Sequence, residues 1–118
     1  MTPPKGRPPA PSHLAPLTRQ WWDKVVADFD FDEHHLRVLE AACVAWDRHE
    51  AARSALATHG LTFEDRYGNP RARPEVAIER DARIGFIRAV RELALDGAGT
   101  PDGPRPPTVT GRYRGGSR

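Results

Sequence analysis

Three groups of residues in this 118-residue chain have types and spacings suited to chemistry. The first is cationic and aromatic: Arg66, Tyr67, Arg71 and Arg73 fall in one short stretch between Gly60 and Pro74. Guanidinium groups donate forked hydrogen bonds to phosphate oxygens, so this group is able to contact phosphates. The alternative is a solvated tip in which Glu64 and Asp65 are the salt-bridge partners. The second group is Asp28-Phe29-Asp30-Phe31-Asp32-Glu33, with carboxylates at alternate positions like the start of a calcium loop. That loop needs a glycine at its sixth position and an acidic ligand at its twelfth. Glu33 and Leu39 stand there, so the segment reads as an acidic helix junction with an N-cap. The third group is His34, His35, Cys43 and His49. No pair of them has the i, i+4 spacing of a helical metal site, and one thiol gives no paired thiolates. They read as polar histidines on an exposed face beside one small buried cysteine.

No phosphate-cradling glycine loop is present, and no Ser/His/Asp or Cys/His arrangement is readable. The residues therefore make no positive case for an enzyme, and they call for no cofactor and no metal.

The elements that position these groups follow from periodicity. A first helix is expected from Pro16 or Thr18 to Asp28. Its Leu17, Trp21, Trp22, Val25, Val26 and Phe29 cover about half the circumference at roughly 100° per residue. A second is expected from Glu33 to His59 behind the N-cap Asp32, with Leu36, Leu39, Cys43 and Trp46 on one face. A third is expected from Glu75 to Leu95, closed by Asp96-Gly97, with Ile84, Phe86, Ile87, Val90 and Leu93 spread over about half the circumference. Between the second and third lies a β-hairpin over residues 61–73. Thr62 and Phe63 suit a strand, and Tyr67-Gly68-Asn69 is turn chemistry. The fold class is mostly α: three helices with one hairpin.

The ends differ from the middle. Residues 1–16 hold six of the 12 prolines and residues 101–107 hold four. Residues 1–15 carry Lys5 and Arg7 without an acid, and residues 98–118 carry Arg105, Arg112, Arg114 and Arg118 against Asp102 alone. The segment 16–97 keeps the remaining 12 bases and 15 acids. The expected organisation is a flexible basic leader (1–15), a helical oligomerisation core (16–97) and a flexible basic tail (98–118). Clustered positive charge on tails suits a polyanion, so Lys5, Arg7, Arg105, Arg112, Arg114 and Arg118 join the hairpin arginines as DNA-binding candidates. A folded core this small gains from partner subunits. Trp21, Trp22, Ile84, Phe86 and Ile87 are the candidates for the interface between copies. Cys43 is the only cysteine, so no intrachain disulfide can form. No run is long enough to span a membrane, and no signal peptide is readable at the start, which suits a reducing cytoplasm.

The order of these pieces resembles the small terminase subunit of tailed bacteriophages. The likeness rests on Pro3-Pro4-Lys5-Gly6-Arg7-Pro8, on Trp22 to Val26, on the helix bearing Trp46, and on Gly60-Leu61-Thr62-Phe63 with Tyr67-Gly68-Asn69-Pro70. It continues through Pro74-Glu75-Val76-Ala77-Ile78-Glu79-Arg80-Asp81-Ala82-Arg83 to Arg91-Glu92-Leu93 and covers about residues 1–97. The resemblance implies a non-enzymatic DNA-packaging factor of the host bacterial cytoplasm. Such a factor forms a ring, engages double-stranded viral DNA and delivers it to a large terminase subunit that holds the ATPase and nuclease. It supplies no catalytic residues. Two other readings stay open at this point: a helical protein-interaction module that binds no nucleic acid, and a helix-turn-helix regulator built on the first two helices. The second is disfavoured by the acidic Asp32-Glu33 at the start of its would-be recognition helix.

Overall fold

A computed structural model describes residues 7–95. The element order is α1 (Pro16–Asp28), α2 (Glu33–His59), β1 (Thr62–Glu64), β2 (Pro70–Ala72) and α3 (Pro74–Leu93). It is the mostly helical fold with an inserted hairpin that periodicity and turn chemistry predict.

Each boundary has a local cause. Pro16 and Pro74 open α1 and α3, where their missing N–H costs no hydrogen bond. At the head of α2, Asp32 and His35 form a reciprocal capping box in which the Asp32 N–H donates to His35 Nδ1 at 3.4 Å. Gly60 ends α2 at φ 86, a backbone region that favours glycine. The end of α3 differs from expectation: it stops at Leu93, before Asp96-Gly97. Ala94 takes the left-handed conformation at φ 55. The Leu95 N–H then donates to the Val90 carbonyl and the Ala94 N–H to the Arg91 carbonyl, which is the paired closure of a Schellman motif.

α2 and α3 run antiparallel. His49 meets Glu79 near the hairpin end, and Trp46 meets Phe86 further along. α1 covers only the half of this pair remote from the hairpin. The core sits there: Leu14, Trp22, Val25, Val26, Leu39, Cys43 and Leu93 are buried together. Beyond Trp46 the two helices continue as a thin stalk, where α2 buries only His49 and Ala52.

Three sequence expectations change here. The leader was expected to stay unpacked as far as residue 15, yet Leu14 is buried and Ala10 packs on the core. The reason is Trp22: its indole N–H is buried with the ring and donates to the Pro8 carbonyl at 3.0 Å. Trp22 thus belongs to the chain's own core and has no surface to offer a neighbouring copy. The histidines also divide. His34 is exposed, whereas His49 is buried.

Candidate nucleic-acid and assembly interface

The hairpin tip is organised by one carboxylate. Asp65 Oδ1 accepts the main-chain N–H of Tyr67 at 2.8 Å and of Asn69 at 2.9 Å, while Oδ2 accepts Arg71 Nε at 3.0 Å. Gly68 sits at φ 79 and closes the turn. These bonds favour the charged form, so the Asn69 N–H first and the Arg71 guanidinium next hold the Asp65 pKa below its usual value. The register pairs Thr62 with Ala72, Phe63 with Arg71 and Glu64 with Pro70. Side chains alternate along a strand, so Leu61, Phe63, Arg71 and Arg73 share one face.

The three hairpin arginines are not equivalent. Arg71 is ion-paired to Asp65. Arg73 lies with its guanidinium 5.9 Å from the Phe63 ring centre, and its Nε is buried without a hydrogen-bond partner. Arg66 stacks over Tyr67 at 5.4 Å and has no ion pair among the described residues, so its charge faces outward. Arg7 is exposed. Lys5, Arg105, Arg112, Arg114 and Arg118 lie outside the described residues.

A second surface lies where all three helices meet. Leu17, Thr18, Trp21, Trp46 and Phe86 line an apolar hollow of about 250 Å³. Phe86 bridges the two tryptophans, 4.9 Å from Trp46 and 5.8 Å from Trp21. The hollow runs into a shallower one of about 660 Å³ that adds Asp47, Glu50 and Ala51 from α2. Leu17 stands at its lip, 77% exposed. Of the proposed interface residues, Trp21 and Phe86 are half-buried in this groove, and Ile84 and Ile87 are exposed on another side of α3.

Two polar features of this region escaped the sequence. Asp47 caps α1 from α2: its carboxylate accepts the Ala15 N–H at 2.8 Å and the buried Thr18 hydroxyl at 2.5 Å. Ala15, at the N-cap position, has no side-chain oxygen of its own, so the helix borrows one. His49, stacked 4.9 Å from Trp46, places Nε2 3.0 Å from Glu79 Oε2, and Arg83 donates to that same oxygen at 2.9 Å. The Arg83 guanidinium is the main reason the Glu79 pKa lies below its usual value. A helical stripe of Leu39, Cys43 and Trp46 continues to position 49, so the burial of His49 was available from spacing.

The set His34, His35, Cys43 and His49 is not brought together. Cys43 is fully buried in the core and His49 sits on Glu79, while His34 and His35 gather with Asp32, their ligand atoms within 4.8 Å of one another. In that cluster His35 Nδ1 is engaged by the Asp32 N–H. Burial pushes the Cys43 thiol up to about 12, which leaves no thiolate near neutral pH. No described helix is long and apolar enough to cross a membrane.

The family model described as phage terminase, small subunit, matches residues 18–99, which takes in α1 from Thr18 onward and all of α2, the hairpin and α3. No curated protein and no solved structure matches the chain. With more than half its length matched, and with the helix–hairpin–helix order on which the resemblance rested, the chain belongs to the phage terminase small subunit family.

Proposed function

We propose that this chain is a DNA-packaging adaptor that assembles into a closed ring, engages double-stranded viral DNA and presents it to the large terminase subunit in the host cytoplasm. Its family places it in phage DNA packaging; assembly, DNA engagement and service to the large subunit are the reading advanced here. The ATPase and nuclease chemistry is assigned to the large subunit, and this chain acts without a cofactor.

The observation that carries the reading is apolar surface left uncovered. Leu17, Trp46, Leu61, Phe63, Tyr67, Ile78, Ile84 and Ile87 are all exposed, while the largest fully buried side chains among the described residues are Leu39, Leu93 and Cys43. Such a surface suits a protein whose folded unit is completed by copies of itself. Trp21, Ile84, Phe86 and Ile87 are the residues we assign to that contact. DNA engagement falls to Arg66, to Arg7 and to the basic ends, with Arg71 and Arg73 in a supporting position on the hairpin.

A second reading, a protein-interaction module without nucleic-acid binding, is favoured by the core's ion pairs. Arg37, Arg53, Arg71, Arg80 and Arg83 each already pair with a carboxylate. A salt-titrated DNA-binding isotherm on the full chain separates the two. The adaptor reading expects affinity to fall with salt by roughly 0.9 in log–log slope per phosphate neutralised. It also expects trimming of residues 98–118 to weaken binding and flatten the slope, and Arg66→Ala to flatten it further. No binding at low salt by the intact chain would leave the interaction module standing.

A further inference from the structure

α3 presents two different faces to solvent and to the groove. Phe86 and Leu93 turn toward α2 and the core. On another side, Arg80, Ile84, Ile87, Arg88 and Arg91 recur at i, i+4, i+7, i+8 and i+11, within about 100° of the helix circumference. Ile84 is 36% and Ile87 49% exposed. Arg88 and Arg91 make no ion pair among the described residues, and Arg80 pairs only with its neighbour Asp81. The result is an aliphatic ridge with guanidinium groups along it.

The groove described above has the opposite character. Its floor and lip are Leu17, Trp21, Trp46 and Phe86, and its continuation carries two carboxylates: Asp47, which bonds the neutral Ala15 N–H and Thr18 hydroxyl and has no cationic partner among the described residues, and Glu50, which already pairs with the exposed Arg53. An apolar cavity of roughly 150 Å³ is enough to take up benzene, so a hollow of about 250 Å³ has room for a branched aliphatic side chain.

We infer that the ridge of one copy seats in the groove of the next. Ile84 and Ile87 enter among Leu17, Trp21, Trp46 and Phe86, with Arg88 and Arg91 facing Asp47 and Glu50. The occupant is a second copy because both surfaces are apolar at the centre and carry opposite charge beside it, arginines on the ridge and the Asp47 carboxylate by the groove. An apolar centre with arginine and tryptophan is the composition of a protein interface, whereas a phosphate backbone offers isoleucine nothing. Because ridge and groove occupy different faces, the contact is heterologous. Such a contact repeats head to tail and closes when its rotation permits. The inference rests on the ring reading and specifies its joint.

The test uses two full-length single variants at exposed positions, Ile87→Glu on the ridge and Leu17→Glu at the groove lip, with native mass as the readout. Each alone is expected to be monomeric at concentrations where the natural chain is a ring. Mixed in equal amounts, they are expected to form a dimer that grows no further, since only one intact ridge and one intact groove remain to pair. Arg88→Glu with Arg91→Glu, exposed and without described partners, provides a second ridge variant and is expected to weaken assembly at least tenfold. A natural chain that is monomeric refutes the ring reading itself. A ring that survives either single variant, or variants that stay monomeric when mixed, refutes only this joint.

Discussion

Replacing Asp47 with alanine should loosen α1 from the rest of the molecule. The carboxylate holds two groups that have no other described partner, the Ala15 N–H at 2.8 Å and the Thr18 hydroxyl at 2.5 Å. Loss of the hydrogen bond to the exposed Ala15 N–H costs about 1 kcal/mol, the ordinary net worth of such a bond. Thr18 is 4% exposed, so its orphaned hydroxyl adds roughly 1–3 kcal/mol of unmet desolvation. The expected loss is therefore about 2–4 kcal/mol, large for a domain whose whole stability is of order 5–15 kcal/mol. Asp47→Asn retains one acceptor oxygen and should lose about half as much. Removing the buried hydroxyl as well, in Asp47→Ala with Thr18→Val, should restore about 1 kcal/mol relative to the sum of the single changes. Urea unfolding monitored by circular dichroism gives the stabilities, and hydrogen exchange at Arg19, whose N–H bonds to the Ala15 carbonyl, reports α1 locally. A change below about 0.5 kcal/mol for Asp47→Ala, the range of ordinary surface substitutions, would refute the borrowed cap.

Gly85 lies inside α3, and a Cβ added there meets nothing within 4 Å. Gly85→Ala should stabilise the chain by about 1 kcal/mol through helix propensity, checked by thermal melting; no rise in Tm would contradict it. Acid should weaken the fold in two stages. Burial, and next the His34 ring, lowers the His35 pKa below its ordinary 6.5, so the unfolded chain binds more protons and stability falls as pH drops through that value. Asp65, Glu50 and Glu79 are held below their ordinary 3.8, 4.5 and 4.5, so their contribution is present above those values and lost as pH falls through the depressed ones. His35→Gln should remove the first stage and leave the second in a pH series of urea midpoints. Cys43, buried and with its thiol pKa about 12, should resist iodoacetamide in the native protein and react on unfolding. Labelling of the native chain at the unfolded rate would contradict that burial.

Much of the frame was legible because its signals are local. Proline at the helix starts, Asp32 before α2, Gly60 after it and Tyr67-Gly68-Asn69 in the turn each fix a backbone conformation within a few residues. The end of α3 misled for the same reason. Asp96-Gly97 is the better local stop, but Leu95 packs against the core and Ala94 adopts the left-handed conformation in place of a glycine. What stayed hidden depends on distant partners. Nothing near Asp47 announces that it caps a helix some thirty residues earlier, and nothing in a proline-rich leader announces that Pro8 meets the indole of Trp22. The site was half legible. Residue types marked the hairpin arginines, but only the fold separates the paired Arg71 from the outward Arg66. On α3, apolar spacing marked Ile84, Phe86 and Ile87 together as interface candidates, without Arg88 and Arg91. These arginines become part of a pattern once Phe86 is seen to face the other way.

The central claim is that several copies of this chain act together on DNA. Native mass spectrometry of the full-length protein with a short DNA duplex tests it most directly. The expected result is one closed oligomer larger than a dimer that carries the duplex and releases it as salt is raised. A monomer at micromolar concentration that leaves the duplex free at low salt would contradict it.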